Sequence, residues 1–156
     1  VSVSGGLDSM VLCDLLLKSD LDFSIAHVNY KLRKKESDFD ENFVKNYANQ
    51  KQINFYSISH DLSTYNKSIQ AKAREIRYEF LYKLTDENKF DYIFTGHHLD
   101  DNIETIFLNL IRGKKNNSFL GIREKHNQLL SPLINFTKDE IKKYISPTIH
   151  SDKLSE

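Results

Sequence analysis

The chain begins with a short polar loop whose residue types suit phosphate binding. In VSVSGGLDS, two glycines lie between serines, and an acidic residue and another serine follow before an apolar helical pattern. Glycines allow a tight turn with inward-facing amides, and the next helix adds unpaired N–H groups and the positive end of its dipole. The alternative is an ordinary strand-to-helix turn. The candidate phosphate-binding residues are Ser4, Gly5, Gly6, Leu7, Asp8 and Ser9.

This loop differs from the better-known glycine loops. It has no lysine at the spacing of G-x-x-x-x-G-K-[ST], and it does not match G-x-G-x-x-G. It also lacks the G-x-S-x-G spacing of a nucleophile elbow. The sequence therefore argues against the usual P-loop, a dinucleotide-binding turn and a serine hydrolase.

A second cluster, HHLDDNIET, is dense in side chains that bind metals or transfer protons. It contains His97, His98, Asp100, Asp101 and Glu104. Since Asp101 and Glu104 are three residues apart, they share one face of the predicted helix. The alternative is that Asp100 or Asp101 simply caps this helix and complements its dipole.

Further candidates are single basic or polar side chains. His27 lies at the end of an apolar strand pattern, where a nucleotide base or ribose would rest, although a histidine there can also be a structural hydrogen bonder. Arg33, Arg74 and Arg77 have guanidinium groups that match phosphate oxygens. The alternative for the arginines is a solvated charged face, with Arg77 paired to Glu75 or a neighbour.

Short apolar strands alternate with amphipathic helices along the chain. We predict strands at 1–4, 23–28, 53–59, 91–96 and 128–134, and helices at 8–18, 37–52, 68–87, between 97 and Gly113, and from Thr137 to Ile145. This order predicts an α/β fold with a parallel five-stranded sheet and helices on both faces. The polar clusters follow the strands, so they should converge on one edge of the sheet.

Length and composition limit the class of protein. The 156 residues suit one domain, and 39% hydrophobic with 28% charged residues suits a globular fold. Lys+Arg and Asp+Glu both total 22, so no overall charge favours nucleic acid or membrane. Cys13 is the only cysteine and is expected to be a buried thiol. With no apolar run of membrane-spanning length, we expect a cytoplasmic protein without a membrane partner.

Several stretches together resemble a known family. SGGLDS is similar to the SGG-x-DS signature of PP-loop ATP pyrophosphatases. The stretches AHVNYKLR, QAKAREIRYEF, TGHHLDDNIETIFLNLIRG and SPLINFTKDEIKKYI resemble, in order, motifs of the tRNA(Ile)-lysidine synthetases within that family. The resemblance implies a Rossmann-like, adenine nucleotide alpha hydrolase-like catalytic domain over residues 1–145, with 146–156 as a tail and the family's C-terminal tRNA-binding domains absent.

The resemblance also implies a reaction and roles for residues. Such enzymes use ATP and Mg²⁺ to adenylate the wobble cytidine of tRNA(Ile), and free lysine then displaces AMP. The implied catalytic residues are Asp8, Asp101, Glu104 and Arg74; ATP would contact residues 4–9, His27 and Gly96; lysine or tRNA would contact His97, His98, Arg33, Arg77 and Arg112; Asp8 and Asp101 would hold Mg²⁺.

Some positions depart from the family pattern. Tyr30 and Lys31 replace His-Gly, Ser131 replaces an arginine, and the loop 113–119 is not glycine-rich. Two alternatives therefore stay open: another PP-loop adenylating enzyme, or a truncated, non-catalytic nucleotide-binding remnant. The oligomeric state is also open.

Overall fold

The computed structural model describes residues 1–33, 35–65, 68–113 and 121–144. Three expectations lie outside these residues: the altered loop beyond Gly113, the end of the last helix at Ile145 and the tail 146–156. The elements are α1 (Leu7–Lys18), β1 (Ile25–Asn29), α2 (Lys35–Gln50), β2 (Phe55–Ser59), α3 (Ile69–Asn88), β3 (Ile93–Phe94), α4 (Leu99–Ile111), β4 (Lys125–His126), β5 (Leu129–Leu130) and α5 (Lys138–Lys143).

The predicted alternation of strands and helices is confirmed, and with it the α/β class. β1 pairs with β2 in parallel, and β3 pairs with β5 in parallel. β4, which the sequence did not predict, pairs antiparallel with β5. The described strands thus form one two-stranded and one three-stranded sheet, and a single five-stranded sheet is not confirmed.

The first residues link the two sheets. Ser2 forms isolated parallel bridges to Ala26 in β1 and to Thr95 just after β3. Its N–H donates to the carbonyl of Phe94 at 2.9 Å, while the N–H of Val3 donates to the carbonyl of Ala26 at 2.9 Å. The predicted first strand is therefore a short connecting segment between β1 and β3.

Helices cover both faces of β1. Ile25 packs with residues of α1 and α2, whereas Ala26 packs with residues of α3. Successive strand residues point to opposite faces, so the two contacts place these helices on opposite sides. Cys13 lies in the α1 side of the core, and burial raises the pKa of its thiol to about 12, as expected for a structural cysteine.

Two predicted elements differ from the structure. The strand expected at 128–134 is shorter, because Ile134 N–H donates to the carbonyl of Ser131 and the chain turns after β5. α4 forms, but none of its residues is buried, and Phe107 and Ile111 are 60% and 81% exposed. An amphipathic helix packed on a sheet would bury part of its apolar stripe. None of the helices in the described part of the chain is both long and apolar enough to cross a membrane.

Truncating α1 in the core should destabilise the fold. Leu12 is 1% exposed, so Leu12→Ala should lower the free energy of unfolding by about 3 kcal/mol through lost burial and a cavity. Leu21→Ala is the matched control, because Leu21 is 52% exposed and should change stability by about 0.5 kcal/mol or less. Urea unfolding followed by circular dichroism measures both, and equal midpoints would contradict this packing.

Candidate functional site

The glycine loop, residues 4–9, is closed by its own hydrogen bonds. The backbone N–H of Ser4 donates to Ser9 Oγ at 3.3 Å, and Ser9 Oγ donates to the carbonyl of Gly6 at 2.8 Å. Gly5 has a φ of +86°, and a Cβ there would lie 3.3 Å from Asp40 Cβ. Both facts require glycine at position 5, since a side chain would be strained and crowded.

The start of α1 behind this loop is suited to an anion. Gly6 is the N-cap and has no side chain with which to cap the helix. The first amides of a helix lack intrahelical acceptors, and the helix dipole adds positive potential there. Ser4 and Gly6 are both exposed, so a ligand can reach this end of the helix.

Gly96 allows the chain after β3 to lie directly against the glycine loop. A Cβ on Gly96 would be 3.1 Å from the backbone N of Ser9 and 3.2 Å from the carbonyl carbon of Asp8. These are backbone atoms, which cannot rotate away as a side chain would. A bare backbone at position 96 therefore sets the distance between the first and second polar clusters.

A cavity of about 150 Å³ lies where these segments meet. Six residues singled out from the sequence line it: Ser4, Asp8, Ser9, Arg77, Gly96 and His97. Its other lining residues are Ser2, Val3, Val28, Tyr30 and Thr95. Three predicted features therefore line the same cavity: the phosphate loop, one arginine of α3 and the first histidine of the second cluster.

His97 is held as a neutral imidazole in this cavity. Burial, followed by the positive charge of Arg77, lowers the pKa of His97 from 6.5 to about 4. Its Nδ1 lies 2.9 Å from Thr95 Oγ1, which in turn lies 2.9 Å from Ser131 Oγ. Sequence reasoning missed Thr95 and treated Ser131 only as a departure from the family. Both hydroxyls orient the ring.

Arg77 and Tyr30 form another wall of the cavity. The Arg77 guanidinium carbon lies 5.2 Å from the ring centre of Tyr78, and its Nε is buried without a hydrogen-bond partner among the described residues. Among the described residues Glu75, one of the alternative partners for Arg77, pairs with Lys72 at 3.1 Å. Tyr30 donates from its hydroxyl to the carbonyl of Ala73, and burial raises its pKa.

His98 faces carboxylates rather than the cavity. Its Nε2 lies 3.9 Å from Asp8 Oδ2 and 3.6 Å from Asp101 Oδ2, and its Nδ1 lies 3.5 Å from Asp100 Oδ2. It is also the N-cap of α4, since its Nδ1 accepts the N–H of Asp101 at 3.4 Å. That contact requires the proton on Nε2, which is directed at Asp8 and Asp101.

The capping role expected for Asp100 or Asp101 needs correction. The Asp101 carboxylate accepts the backbone N–H of the N-cap, His98, at 3.0 Å, so it completes a capping box but is not the cap itself. Asp100 instead accepts the backbone N–H of Lys138 at 2.7 Å, which ties the start of α5 to α4. His98 caps the helix instead, because its ring nitrogen reaches the N–H of the third helical residue, Asp101.

Other predicted site residues do not line the cavity. His27 is 3% exposed, and its Nδ1 contacts the carbonyl of Val3 at 2.8 Å, which is the structural alternative. Arg33 is exposed and pairs with Glu36 at 3.7 Å. Arg74 lies over the Tyr78 ring at 4.9 Å. Glu104 and Arg112 are exposed on α4 and at its end. Their functional roles stay predictions.

The predicted Mg²⁺ ligands lie near each other without forming a complete metal site. Asp8 and Asp101 both approach His98 Nε2 within 4 Å. Within the described ranges, no group of three or more histidine, cysteine, aspartate or glutamate side chains is arranged to hold a metal. The Mg²⁺ assignment therefore stays a prediction that needs phosphate oxygens as additional ligands.

One residue of the site was not predicted at all. Lys138, at the start of α5, directs its ammonium at both carboxylate oxygens of Asp8. The sequence offered one signal, because Lys138 falls where the family motif of the SPLINFTKDEI stretch has an arginine. Its contact with Asp8 spans 130 positions and could not be inferred from spacing.

Comparisons with known proteins agree with the geometry. Residues 1–149 match the PP-loop domain family. The tRNA(Ile)-lysidine synthase of Chlorobaculum tepidum is 40% identical over 153 residues, covering 93% of this chain and 46% of the relative. Those of Persephonella marina and Porphyromonas gingivalis are each 37% identical, covering 92% and 93% of this chain and 33% of each relative. The chain thus spans between a third and half of these relatives.

A solved structure supports the fold. The U34-tRNA thiolase NcsA from Methanococcus maripaludis, solved with its [4Fe-4S] cluster, superposes with a TM-score of 0.73 over 91% of this chain and 54% of its own. At 20% identity, this similarity extends to the α/β fold and no further.

The neutral state of His97 can be measured directly. In an NMR titration of the ring signals, we expect a midpoint near pH 4. Arg77→Gln should raise the pKa, because one positive neighbour is lost, but should not restore 6.5, since burial is the larger cause. An unaltered midpoint near 6.5 in the native chain would contradict the buried, neutral ring.

The contact at Gly96 should matter more for ATP than for folding. Gly96→Ala must push α1 away by a few tenths of an ångström, and we expect about tenfold weaker ATP binding in a calorimetric titration. Gly113→Ala is the control: its φ of +63° costs about 1 kcal/mol of stability with alanine, but it does not line the cavity. Equal effects of both variants on ATP binding would contradict this role.

Proposed function

Because the chain belongs to the PP-loop domain family, we propose that it is the ATP-binding, adenylating part of a tRNA(Ile)-lysidine synthase. Similarity to lysidine synthases across nearly the whole chain supports the substrate class. The observation that supports the chemistry best is the uncapped start of α1 behind the glycine loop, beside Asp8 and the cavity. In this proposal residues 1–145 are the catalytic domain.

The glycine loop would bind the β and γ phosphates of ATP. Attack on the α phosphorus releases them as pyrophosphate, so negative charge accumulates on that group. The amides at the start of α1, with Ser4 and Ser9, are already oriented before ATP arrives, since the loop is closed by its own hydrogen bonds. Donors that need no reorganisation stabilise such charge most effectively.

Mg²⁺ would neutralise phosphate charge when bound. Asp8 and Asp101 fit this ion, because Mg²⁺ is usually held by one or two carboxylates together with substrate phosphates. Their shared neighbour is His98, whose Nε2 lies 3.9 Å from Asp8 Oδ2 and 3.6 Å from Asp101 Oδ2. His98 is thus proposed to orient the ligands.

The lysine substrate needs both negative charge and a proton acceptor. Its ammonium would be attracted by Asp101 and by Glu104, one helical turn further along α4. Before its amine can attack the adenylated cytidine, it must lose a proton. His97 lines the cavity and is proposed to orient the amine through its neutral imidazole, because its lowered pKa makes it too weak a base to take the proton itself.

The tRNA would contact the exposed arginines Arg33, Arg74 and Arg112. The formal net charge of zero gives no general attraction for RNA, so these local contacts would have to position it. ATP, lysine and tRNA are all cytoplasmic reactants, and we place the protein there.

Another PP-loop adenylating reaction is the second candidate. The superposed thiolase was solved with a [4Fe-4S] cluster, and such clusters are held mainly by cysteine thiolates. Cys13, the one cysteine in this sequence, is fully buried in the core. This difference favours lysidine formation over cluster-dependent sulfur transfer.

The test is release of AMP and pyrophosphate from ATP. With unmodified tRNA(Ile) and lysine we expect turnover, and Asp8→Ala should abolish it because phosphate positioning is lost. Asp86→Ala, at an exposed position of α3, is the matched control and should retain turnover. Thin-layer separation of radiolabelled ATP and AMP measures both.

The dependence of AMP formation on each reactant distinguishes the alternative functions. AMP formation that ignores lysine would point to another adenylating enzyme of the family. ATP binding without any AMP would point to a non-catalytic nucleotide-binding protein. Full turnover in Asp8→Ala would contradict the assigned site.

A further inference from the structure

We propose that Lys138 supplies the phosphate-binding lysine that the glycine loop lacks, and that it exchanges Asp8 for the leaving pyrophosphate when ATP binds. This inference rests on the proposed function, since it assumes that the loop binds ATP phosphates. It adds a phosphate-binding residue from α5, far along the chain from the loop.

The first support is the contact itself. Lys138 Nζ lies against both Oδ1 and Oδ2 of Asp8, the residue that lines the cavity directly after the glycines. The usual P-loop holds its lysine within the loop, where the ammonium reaches the β and γ phosphates. Here the ammonium reaches the start of α1 from a different helix.

The second support is that the backbone of α5 is fixed in place at this point. Asp100 accepts the N–H of Lys138 at 2.7 Å, and Leu99 N–H donates to the carbonyl of Phe136 at 2.9 Å. Both bonds join the start of α5 to the start of α4. The position of Lys138 is thus set by main-chain contacts, independently of its side-chain ion pair.

The far end of α5 is also attached to α1. The Tyr144 hydroxyl donates to Asp14 Oδ2 at 3.1 Å, and Lys18 Nζ donates to the same hydroxyl at 2.9 Å. α5 is therefore held at both ends without the Lys138 side chain. The ammonium can leave Asp8 while the helix stays where it is.

The third support is the charge that ATP would meet. Pyrophosphate oxygens placed at the start of α1 would face the Asp8 carboxylate, and like charges repel. The Lys138 and Asp8 side chains are 35% and 22% exposed, so the pair is not sealed from solvent or ligand. A partly exposed ion pair contributes little net stability, and a flexible lysine can change partner at low cost.

An exchange of partners would leave both the Lys138 ammonium and the Asp8 carboxylate next to an opposite charge. With ATP bound, the ammonium would contact phosphate oxygens, and the freed Asp8 carboxylate would be available to Mg²⁺. Without ATP, the two side chains neutralise each other. A purely structural clamp between α5 and α1 would predict an effect on stability and none on phosphate affinity.

The experiment measures binding of Mg²⁺-pyrophosphate to this chain by isothermal titration calorimetry. Lys138→Met keeps the length of the side chain and removes its charge, and we expect at least about tenfold weaker binding. Lys138→Arg keeps the charge and should stay within about threefold of the unaltered chain. Lys142→Met is the matched control on the same helix, because Lys142 is exposed and pairs with Asp139 at 3.3 Å rather than with Asp8.

Thermal melting of each variant accompanies the titrations. Unchanged pyrophosphate affinity in a folded Lys138→Met variant would overturn the inference and leave the proposed function standing. No pyrophosphate binding by the unaltered chain would overturn the proposed ATP site and this inference with it. If Lys138→Met does not fold, the ¹⁵N signal of the Lys138 ammonium in the unaltered chain decides: a shift on adding pyrophosphate supports the exchange, and an unchanged signal contradicts it.

Discussion

The segment Val1–Val3 is hydrogen-bonded on both sides, and the geometry of the site depends on it. Val3 N–H and Ala26 N–H connect it to β1, and Ser2 N–H connects it to the end of β3. Because its backbone is fixed between these two strands, the glycine loop must begin at the same edge where β1 and β3 end. The polar residues that follow β1 and β3 therefore lie at that edge, and no long loop is needed to bring them there.

After Gly96, two consecutive histidines lie in different environments. His97 is buried beside Arg77 and two hydroxyl-bearing residues, which keeps its imidazole neutral. His98 lies within 4 Å of three aspartates. Consecutive histidines thus have neighbours of opposite charge, Arg77 beside His97 and three aspartates beside His98.

Much of this arrangement could be predicted from the sequence, for local reasons. Apolar periodicity predicted the helix bounds within two residues, apart from the end of the last helix, which lies outside the described residues, and glycine chemistry identified the loop at residues 4–9. Contacts between distant segments could not be predicted: Lys138 on Asp8, and Asp100 on the backbone of α5. The cap of α4 was missed because propensity favours aspartate, whereas the structure uses the ring of His98.

The charges around His98 also bear on which reactants the site accepts. Asp8, Asp100 and Asp101 surround it, and within the described part of the chain Lys138 is the one ammonium that contacts any of them. A polyphosphate alone would add negative charge to an already acidic region, which is unfavourable at these distances. Binding of a polyphosphate in this region therefore requires cations that bind together with it. Mg²⁺ and the ammonium of free lysine are both of this kind, so the carboxylates around His98 are consistent with the lysine transfer proposed above.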